Sequence, residues 1–475
     1  MITSAAFAGR RYAVLGLARS GMATAEALLA SGAHVTAWDR QDGPREELAA
    51  RCGAGCTIAD PLEIDLAGFD GVVVSPGVPL NTHPIAARAH AAGVPVIGDI
   101  ELFAQARPHL PPHKVVGITG TNGKSTTTAL IHHLGKTAGL PTAMGGNIGL
   151  PILAQEPLPE GGVYVLELSS YQLDLTRSLD CEVAVLLNIT PDHLDRYDGF
   201  DAYAASKARL FVMQGSGHVA VLTGSDAPSR ALAKRLAGSP SSQAMRDLAR
   251  LPATGVTLAT VGGADVPASY VAVSAAEQVD WPTLQGSHNA QNAAAAIAVC
   301  QALGLPRAAV ARGLASYPGL PHRMERIGTF NGVLFVNDSK ATNPASTAPA
   351  LSAYPRIHWI VGGLPKGDDL DECAPGFPNV VRAYTIGEAG PMFADLLEPH
   401  MPVERSEMLC EAVRRALAQA QPGEVVLLSP ACASFDQFRD YEKRGDAFRE
   451  IVISLTSGAD PLRSGDAACC EGKAA

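Results

Sequence analysis

A glycine-rich segment at residues 115–126, VVGITGTNGKST, carries the residue types best suited to chemistry in this chain. β-Favouring residues run into Gly120 and Gly123, and a Lys-Ser pair then opens a helical run. The pattern predicts a strand, a tight loop and a helix N-terminus, which direct backbone N–H groups at one spot and bind phosphate well. In such a loop Lys124 reaches the terminal phosphates, and the Ser125 hydroxyl binds the accompanying Mg²⁺.

The loop departs from the usual phosphate-loop pattern at one position. That pattern has a glycine five positions before Gly123, where this chain has Ile118. The alternative interpretation is a glycine turn that ends an ordinary strand-helix unit without binding a ligand. The strand before the loop and the helix after it favour the phosphate site.

Two further polar groups follow apolar strands in the same region. The strand VYVLELSSYQL delivers Glu167 to its end before a polar Ser-Ser-Tyr-Gln turn, and a strand over residues 182–188 runs into a loop with His193. Ligands bind at such strand ends in open α/β sheets. Ser125 and Glu167 suit one Mg²⁺ shared with phosphates. Taken alone, His193 is better explained as a hydrogen-bonded loop residue than as a metal ligand, and Lys207 is better explained as a solvated helix lysine.

The C-terminal part repeats the pattern of strands that end in polar loops. Asn337-Asp338-Ser339-Lys340 offers a carboxylate and a cation, and Arg323 suits bidentate contacts with phosphate or carboxylate. A solvated polar loop is the alternative interpretation. Cys432 is set aside as a nucleophile because no histidine neighbours it in sequence and cysteine is commonly buried.

The N-terminal part reads as a strand-helix-strand unit that ends at Asp39. It resembles a dinucleotide fingerprint, but Ala18 stands at the glycine that lets backbone approach a pyrophosphate. A standard NAD site is therefore not expected. A nucleotide diphosphate can still rest on the helix start after Gly16, with Asp39 or Arg40 near the ribose or base.

Composition bounds the class of protein. The chain has 475 residues and a formal charge of −10 without a basic block, which argues against nucleic acid as a partner. Nine scattered cysteines indicate reduced thiols, and no apolar run is long enough to insert in a membrane, so we expect a cytoplasmic protein. Proline-rich turns predict three consecutive α/β domains over residues 1–107, 108–320 and 321–456, with a disordered tail at 457–475.

Ten segments taken together resemble the Mur ligase family, and they occur in family order between residues 9 and 455. The segments are GTNGKST, GGNIG, LELSSYQL, NITPDHLDRY, AASKARLF, GSHNAQNAAAA, GLPHRME, NDSKATN, GGLPKGDD and SPACASFDQF. Each is weak alone, whereas the ordered set is highly specific.

The resemblance implies a Rossmann-like N-terminal domain for a UDP substrate, a P-loop-type central ATPase domain, and a Rossmann-like C-terminal domain for an incoming amino acid. It also implies the reaction. ATP phosphorylates the carboxylate of UDP-N-acetylmuramoyl-L-alanine (UDP-MurNAc-L-Ala), and the amine of D-glutamate attacks the acyl phosphate. The expected cofactors are ATP and two Mg²⁺ ions, and we expect a monomer.

The resemblance assigns site residues by their positions in the matching segments. Those assigned to ATP are Gly120, Thr121, Asn122, Gly123, Lys124, Ser125, Thr126, Asn289, Asn292, Arg323 and Asp338. Those assigned to the UDP substrate are Leu15, Asp39, Arg40, Ser75, Gly77, Asn147, Gln172 and His193. Those assigned to D-glutamate are His322, Thr342, Lys366, Ser434, Phe435 and Tyr441.

The resemblance further implies catalytic and metal-binding roles. The catalytic set is Lys124, Asn147, Glu167, His193, Lys207 and Lys340, and the metal ligands are Ser125, Glu167, His193 and a carbamylated Lys207. Carbamylation turns an amine into a carboxylate-like oxygen donor, which removes the objection that an ammonium cannot bind a cation.

Three other functions remain to be weighed. Another amino-acid-adding Mur ligase or a folylpolyglutamate-type ligase would use the same central motifs, and SPACASFDQF favours D-glutamate. An NAD-dependent oxidoreductase would rest on GLARSG alone and leaves GTNGKST unexplained. A non-catalytic ATP switch has no need of the ligand-side residues after Leu320.

Overall fold

The computed structural model describes residues 1–52, 55–192, 196–224, 226–236, 256–260 and 269–457. These residues form two compact units, Met1–Tyr317 (unit 1) and Pro318–Ala475 (unit 2). Unit 1 contains a five-stranded and a seven-stranded sheet, and unit 2 contains a six-stranded sheet. The predicted succession of three α/β folds is confirmed, while the predicted domain boundaries stay predictions. Within the described ranges, no helix is long and apolar enough to cross a bilayer.

The first sheet is parallel throughout and has the order β3-β2-β1-β4-β5. Its strands are β1 (Arg11–Leu15), β2 (His34–Trp38), β3 (Cys56–Ile58), β4 (Gly71–Val74) and β5 (Val96–Ile97). Its helices are α1 (Arg19–Ala30), α2 (Asp42–Arg51), α3 (Ile85–Ala91) and α4 (Asp99–Ala106). Because β1 has β2 on one side and β4 on the other, a crevice opens at its carboxyl end.

The second sheet has the order β12-β11-β10-β9-β6-β8-β7. The pairs β10–β11 and β11–β12 are antiparallel, and the other pairs are parallel. Its strands are β6 (His113–Thr119), β7 (Thr142–Gly146), β8 (Gly162–Glu167), β9 (Val183–Leu186), β10 (Val219–Thr223), β11 (Val256–Thr260) and β12 (Ser269–Val271). The helices are α5 (Lys124–Thr137), α6 (Ser170–Asp174), α7 (Gly199–Val212), α8 (Ala227–Leu236), α9 (Ala275–Gln278), α10 (Ser287–Ala302) and α11 (Arg307–Ser316). The strand that precedes the glycine loop, β6, lies between β8 and β9, which is again a crevice position.

The third sheet has the order β13-β14-β18-β15-β16-β17, and only β13 runs antiparallel to its neighbour. Its strands are β13 (Glu325–Phe330), β14 (Val333–Asn337), β15 (Ile357–Gly362), β16 (Val380–Ile386), β17 (Val403–Glu407) and β18 (Val425–Leu428). Its helices are α12 (Pro344–Leu351), α13 (Gly390–Leu397), α14 (Leu409–Gln419) and α15 (Tyr441–Thr456). The central strands β15 and β18 are buried along their whole length, as expected for strands covered on both faces.

Burial explains why the central strands form. All six residues of β8 are buried, and apolar side chains occupy most of them. Helix α4 packs in the same core of unit 1, where the Phe103 and Tyr164 rings meet edge to face at 5.1 Å. This packing holds the carboxyl ends of the strands, and therefore the polar loops, in fixed positions.

Two local predictions differ from the structure. The Ser-Ser-Tyr-Gln segment begins helix α6, because Ser169 and Gln172 form a reciprocal capping box at its N-terminus. Helix α2 has no counterpart in the sequence predictions, since only Leu48 of its ten residues is buried and its apolar periodicity is weak. Most of the predicted tail, residues 458–475, lies outside the described residues.

Candidate active site

The glycine loop between β6 and α5 is tied to the segment after β9. The Thr121 N–H donates to the Asn188 carbonyl oxygen at 2.9 Å, and the Asn122 N–H donates to the Asn188 side-chain oxygen at 2.8 Å. The Thr121 hydroxyl lies 3.1 Å from that of Tyr203. Gly123 caps α5 with a φ of 83°, a left-handed conformation that favours glycine. The loop is thus held in place where α5 presents its first unpaired N–H groups.

Gly123 is also required by a close contact with helix α10. A Cβ atom at this position would lie 2.3 Å from Asn292 Oδ1. That oxygen accepts a hydrogen bond from the Thr127 hydroxyl at 3.3 Å, and Asn292 Nδ2 donates to Asn289 Oδ1 at 3.2 Å. Asn289 and Asn292 therefore lie on one face of α10. In this structure Asn292 supports the glycine loop, and its assignment to adenine stays a prediction.

Two lysine side chains converge on the loop backbone. Lys124 Nζ donates to the carbonyl oxygens of Gly120 and Thr121 at 2.9 and 2.8 Å, and Lys207 Nζ donates to that of Gly120 at 2.9 Å. Lys207 is 2% exposed, so the solvated-lysine interpretation is wrong. Burial, followed by the charge of Lys124, lowers the pKa of Lys207 to about 7.

Glu167 is the last residue of β8, and one of its two carboxylate oxygens has no hydrogen-bond partner. Oε1 accepts a hydrogen bond from Asn147 Nδ2 at 3.1 Å, whereas the buried Oε2 has no hydrogen-bond partner in the structure. The backbone is close as well, since a Cβ at Gly146 would lie 2.1 Å from the Glu167 carbonyl oxygen. A buried carboxylate oxygen without a donor is costly unless a cation binds it. Glu167 therefore fits the predicted Mg²⁺ site.

The remaining predicted metal ligands are placed only in part. Ser125 lies in the first turn of α5, beside the loop. The loop that carries His193 is outside the described residues, so its predicted role has no structural account here. No three His, Cys, Asp or Glu side chains come together as a metal site in the described part of the chain.

The first sheet brings several predicted UDP-substrate residues to the ends of adjacent strands. Leu15 is the last residue of β1, and Asp39 follows the neighbouring strand β2 directly. The Asp39 carboxylate accepts a hydrogen bond from the Leu17 N–H at 2.7 Å. Ser75, which follows β4, donates to the Gly16 carbonyl oxygen at 2.8 Å. These contacts fix the crevice at the carboxyl end of β1. Arg40 and Gly77 are exposed nearby in the chain.

Gln172 takes a different environment from the one predicted. Its side-chain oxygen accepts from the backbone and hydroxyl of Ser169 at 3.1 and 3.0 Å, and the residue is 3% exposed. Burial raises the pKa of the neighbouring Asp99 carboxyl to about 6. In this structure Gln172 caps α6, and its predicted contact with the UDP substrate stays a prediction.

In unit 2 the loop after β14 is buried rather than solvated. Asn337 and Ser339 are fully buried, so the solvated-loop interpretation is wrong. Asp338 accepts from the Ser429 hydroxyl at 2.8 Å and from the Met324 N–H at 3.1 Å. Burial raises the pKa of the Asp338 carboxyl to about 7. A carboxyl group that titrates near neutrality at the end of a strand is typical of a functional site.

His322 joins this loop in a strained backbone conformation. Its φ is 62°, and its Nδ1 lies 3.0 Å from Asn337 Nδ2, while its backbone oxygen accepts from the Lys340 N–H at 3.0 Å. A positive φ at a non-glycine residue is uncommon and is held here by these bonds. The Lys340 ammonium lies 3.9 Å from the centre of the Tyr441 ring. His322, Lys340 and Tyr441 are thereby gathered at one end of the third sheet.

The predicted D-glutamate residues lie on loops at the same end of this sheet. Lys366 Nζ donates to the Thr342 hydroxyl at 3.2 Å. Ser434 is 2% exposed, whereas the next residue, Phe435, is 69% exposed. Cys432 is buried and its thiol pKa is raised to about 12 by desolvation, which agrees with its exclusion as a nucleophile.

One buried residue in this region was missed from sequence. Arg444, in the first turn of α15, is 1% exposed and contacts both the loop after β14 and the loop after β18. In sequence it looks like one more charge in the polar helix RDYEKRGDAFREIV. The signal that was available is its spacing of three from Tyr441, which places both on one helix face.

Comparison with known proteins adds three family matches. The model described as "Mur ligase MurD-like, N-terminal domain" matches residues 10–98. "Mur ligase middle domain" matches residues 118–300, and "Mur ligase, glutamate ligase domain" matches residues 322–432. The three matches follow the three sheets in order.

Several curated relatives are similar along nearly their whole length. The chain is 64% identical to the UDP-N-acetylmuramoylalanine–D-glutamate ligase of Novosphingobium aromaticivorans, with 96% of this chain and 97% of the relative covered. It is 58% identical to the protein of the same name in Sphingopyxis alaskensis, with 96% and 100% covered. For the Zymomonas mobilis protein of that name the identity is 55%, again with 96% and 100% covered.

Solved structures share the fold at low identity. The UDP-N-acetylmuramate-alanine ligase of Thermotoga maritima aligns over 94% of this chain and 99% of its own, with a TM-score of 0.55 and 15% identity. A pseudomurein peptide ligase type C from Methanothermus fervidus aligns over 94% and 100%, with a TM-score of 0.50 and 17% identity. The family models and the long, highly identical matches lead to one conclusion: this chain is a member of the Mur ligase family.

Proposed function

We propose that this chain joins the amine of D-glutamate to the L-alanine carboxylate of UDP-MurNAc-L-Ala, with ATP converted to ADP and phosphate. The proposal draws on relatives named for this reaction at 55 to 64% identity. The structural observation that carries it is the buried Glu167 carboxylate, which ends the strand beside the glycine loop with one oxygen unpaired. The product is a precursor for the cell wall, and because the reaction consumes ATP we place it in the cytoplasm.

The reaction needs the carboxylate to be activated before an amine can attack it. A carboxylate oxygen attacks the γ-phosphorus of ATP, which forms an acyl phosphate and releases ADP. The amine nitrogen of D-glutamate then attacks the acyl carbon, phosphate leaves, and the nitrogen loses a proton as the amide forms. The chain's task is to orient these groups and to stabilise the charge that develops on the transferring phosphoryl group.

Residues of the glycine loop take the phosphate-binding roles. Lys124 exchanges its bonds to loop carbonyls for bonds to the terminal phosphates, as a mobile ammonium can. Asn147, which already contacts Glu167, steadies the acyl phosphate. In unit 2, Lys340 serves the transferring phosphoryl group, and Arg323 and Asp338 serve the ribose and phosphates. Bound Mg²⁺ supplies charge neutralisation at the phosphates, and Ser125 and Glu167 would hold the first ion.

Lys207 is proposed to be carbamylated and to act with His193 at a second Mg²⁺. The amine nitrogen attacks CO₂, one proton is released, and a carbamate with two oxygen donors results. Only an unprotonated amine is a nucleophile, and the lowered pKa of Lys207 provides a large unprotonated fraction at neutral pH. The positive charge of Lys124 beside this buried position favours a negatively charged group there over a positively charged one.

The test is a phosphate-release assay with ATP and Mg²⁺ across four substrate combinations: neither substrate, each alone, and both together. We expect release with D-glutamate and UDP-MurNAc-L-Ala together, and no release with D-glutamate alone. Release supported by L-alanine, a diamino acid or a folate instead of these substrates would move the assignment to another amino-acid-adding or folylpolyglutamate-type ligase. A change in nicotinamide absorbance with NAD would instead favour an oxidoreductase.

A further inference from the structure

Arg444 connects two loops that serve different parts of the proposed reaction. One loop follows β14 and carries Asp338 and Lys340 on the phosphate side. The other follows β18 and carries Ser434 on the amino-acid side. No family segment used to assign the site includes Arg444, and the mechanism above gives it no role.

The guanidinium of Arg444 makes hydrogen bonds to both loops. Nε donates to the Ser339 hydroxyl at 3.0 Å, and Nη2 donates to the Ser339 carbonyl oxygen at 2.9 Å. Nη2 also donates to the Cys432 carbonyl oxygen at 3.0 Å, and Nη1 donates to that of Ala433 at 3.1 Å. The guanidinium thus holds residues on either side of the site through one rigid, planar group.

The loop after β18 is tied to a third segment as well. Ala433 and Leu364 exchange two backbone hydrogen bonds of 3.0 and 2.9 Å. Leu364 lies two residues before Lys366 in the chain. A Cβ at Gly363 would lie 2.4 Å from the Ala433 carbonyl oxygen and 3.0 Å from Arg444 Nη1. Arg444 therefore also fixes the position of the segment that follows β15 and carries Lys366.

Arg444 is a buried charged residue whose hydrogen-bond partners are uncharged oxygen atoms. Arg444 is 1% exposed, and the four oxygen atoms that it contacts are three carbonyl oxygens and one hydroxyl. Burial lowers the pKa of its guanidinium to about 10, so it remains charged at neutral pH. All of its hydrogen-bond partners are neutral, and the Asp436 carboxylate acts on it through its charge. A buried charge without a hydrogen-bonded counterion is costly, and a purely structural role could be filled by neutral donors. A positive charge behind the loops is, by contrast, favourable where a dicarboxylate binds.

The backbone of α15 completes the arrangement. The helix is capped by Asp440, whose side chain accepts from the Lys443 N–H at 2.7 Å. One residue after this cap, the Tyr441 carbonyl oxygen accepts from the Ser339 hydroxyl at 2.8 Å. Ser339 is thus bound by both Tyr441 and Arg444, and the first turn of α15 is fixed against the loop that carries Lys340.

We propose that Arg444 is a positioning residue for the amine-donating amino acid, which holds the Ser434 and Lys366 segments at a fixed distance from Lys340 and adds positive charge behind the dicarboxylate site. The inference rests on the proposed function. It predicts a defect that is largest for the amino acid, because Arg444 binds the carbonyl oxygens of Cys432 and Ala433 directly before Ser434. Lysine in its place keeps the charge and loses the fork geometry, so it should act as a partial substitute.

The experiment compares Arg444→Lys and Arg444→Ala with Arg356→Ala as a matched control. Arg356 is also in unit 2, but it binds Glu424 beside the opposite ends of the strands. For Arg444→Lys we expect the KM for D-glutamate to rise by about tenfold or more and the KM for UDP-MurNAc-L-Ala to stay within about twofold of wild type. The KM for ATP should rise by less than that for D-glutamate, because Arg444 also binds Ser339 between Asp338 and Lys340. Arg356→Ala should lower thermal stability and leave all three KM values unchanged.

Chemical rescue separates positioning from stability. Arg444→Ala should regain D-glutamate-dependent phosphate release on addition of guanidinium at non-denaturing concentration, and urea, which has a similar shape and no charge, should not restore it. An unchanged KM for D-glutamate in Arg444→Lys, or equal losses for all three substrates that follow thermal stability, would overturn the proposal. Wild-type release that depends on D-glutamate is measured first, so failure of the proposed function is detected independently of either variant.

Discussion

Lys124 and Lys207 share one hydrogen-bond acceptor, since both ammonium groups donate to the carbonyl oxygen of Gly120 at 2.9 Å. Two like charges at one buried oxygen repel each other, and burial penalises the charged form further. The pKa of Lys207 falls to about 7 from an ordinary value of 10.5. The glycine loop therefore makes its own lysine partner reactive toward electrophiles at neutral pH.

A first prediction concerns CO₂. Enzyme freed of CO₂ should lose activity and recover it when CO₂ is restored. At a fixed concentration of dissolved CO₂, the initial rate of recovery should increase as pH rises through about 7, because the unprotonated amine is the reacting form. Phosphate release after timed incubation measures this rate. Lys207→Ala should lose at least on the order of 100-fold in activity, with partial rescue by a short carboxylate. Full activity of Lys207→Ala would remove this residue from the metal site.

A second prediction concerns the unpaired oxygen of Glu167. Glu167→Gln should lower activity by on the order of 100-fold or more, because a neutral amide is a poor ligand for Mg²⁺. Without metal or nucleotide, its melting temperature should equal or exceed that of wild type, since the substitution removes an uncompensated buried charge. Mg²⁺ with ADP should raise the melting temperature of wild type and leave that of the variant almost unchanged.

The matched control for this variant is Glu182→Gln. Glu182 also belongs to the second sheet, but its carboxylate is already paired with Arg107 at 2.8 Å. This control should lose thermal stability and keep its response to Mg²⁺. A Glu167→Gln variant that melts below wild type and still responds to Mg²⁺ would contradict the assignment of Glu167.

A third prediction concerns the two glycines that flank α5. It separates the effect of a close side-chain contact from the effect of a left-handed backbone conformation. Gly123 precedes α5 with φ 83°, and Gly139 follows it with φ 82°. A Cβ at Gly139 would meet nothing within 4 Å, whereas one at Gly123 meets Asn292. Both substitutions to alanine should cost about 1 kcal/mol of folding free energy. Only Gly123→Ala should also lower kcat/KM for ATP, by about 100-fold, because the loop is displaced. Similar kinetics for the two variants would contradict the role given to Asn292.

A fourth prediction concerns acid stability of unit 2. Glu424 is 3% exposed, and it accepts from His358 Nε2 at 2.8 Å, from the Gln421 N–H at 2.9 Å and from Arg356. Burial alone would raise the pKa of Glu424, but the Gln421 N–H, His358 and Arg356 together lower it to about 2. A lowered pKa means that the ionised carboxylate stabilises the folded state above its ordinary pKa of 4.5.

Glu424→Gln should therefore reduce the free energy of unfolding by about 2 kcal/mol at neutral pH. The difference from wild type should shrink as pH falls below 4.5 and vanish toward pH 2. Urea unfolding at a series of pH values measures it. A difference that is constant with pH would show that the ion network around Glu424 does not stabilise unit 2.

Most helices and strands, and the polar residues at the ends of the strands, could be predicted from the sequence. Buried strands such as β8 and β18 are largely apolar runs, and a polar residue was expected at the carboxyl end of such a run, where Glu167 lies. Its part in binding a ligand stays a prediction. Turn glycines and the Lys-Ser pair gave the loop before α5 by the same local reasoning.

The features of the site that could not be predicted from the sequence depend on contacts between distant segments of the chain. The burial of Arg444 follows from carbonyl groups about 100 and 10 residues away, which periodicity in one helix does not reveal. The support that Asn292 gives to Gly123 requires α10 to lie against α5. Similarly, the pKa of Asp338 depends on burial by the whole third sheet. Local patterns indicate which groups are present, and tertiary packing decides which of them are charged, buried or shared.

The four-residue strand β18 separates two neighbourhoods of unit 2 with different tasks. Glu424, which precedes the strand, belongs to the His358 and Arg356 network, whereas Ser429, which follows it, donates to Asp338. At about 3.3 Å per residue the two lie roughly 16 Å apart on one rigid rod. Loops at the carboxyl end can thus be exchanged without disturbing the network at the other end. Unit 2 is for this reason a suitable scaffold for engineering ligases that accept different amines.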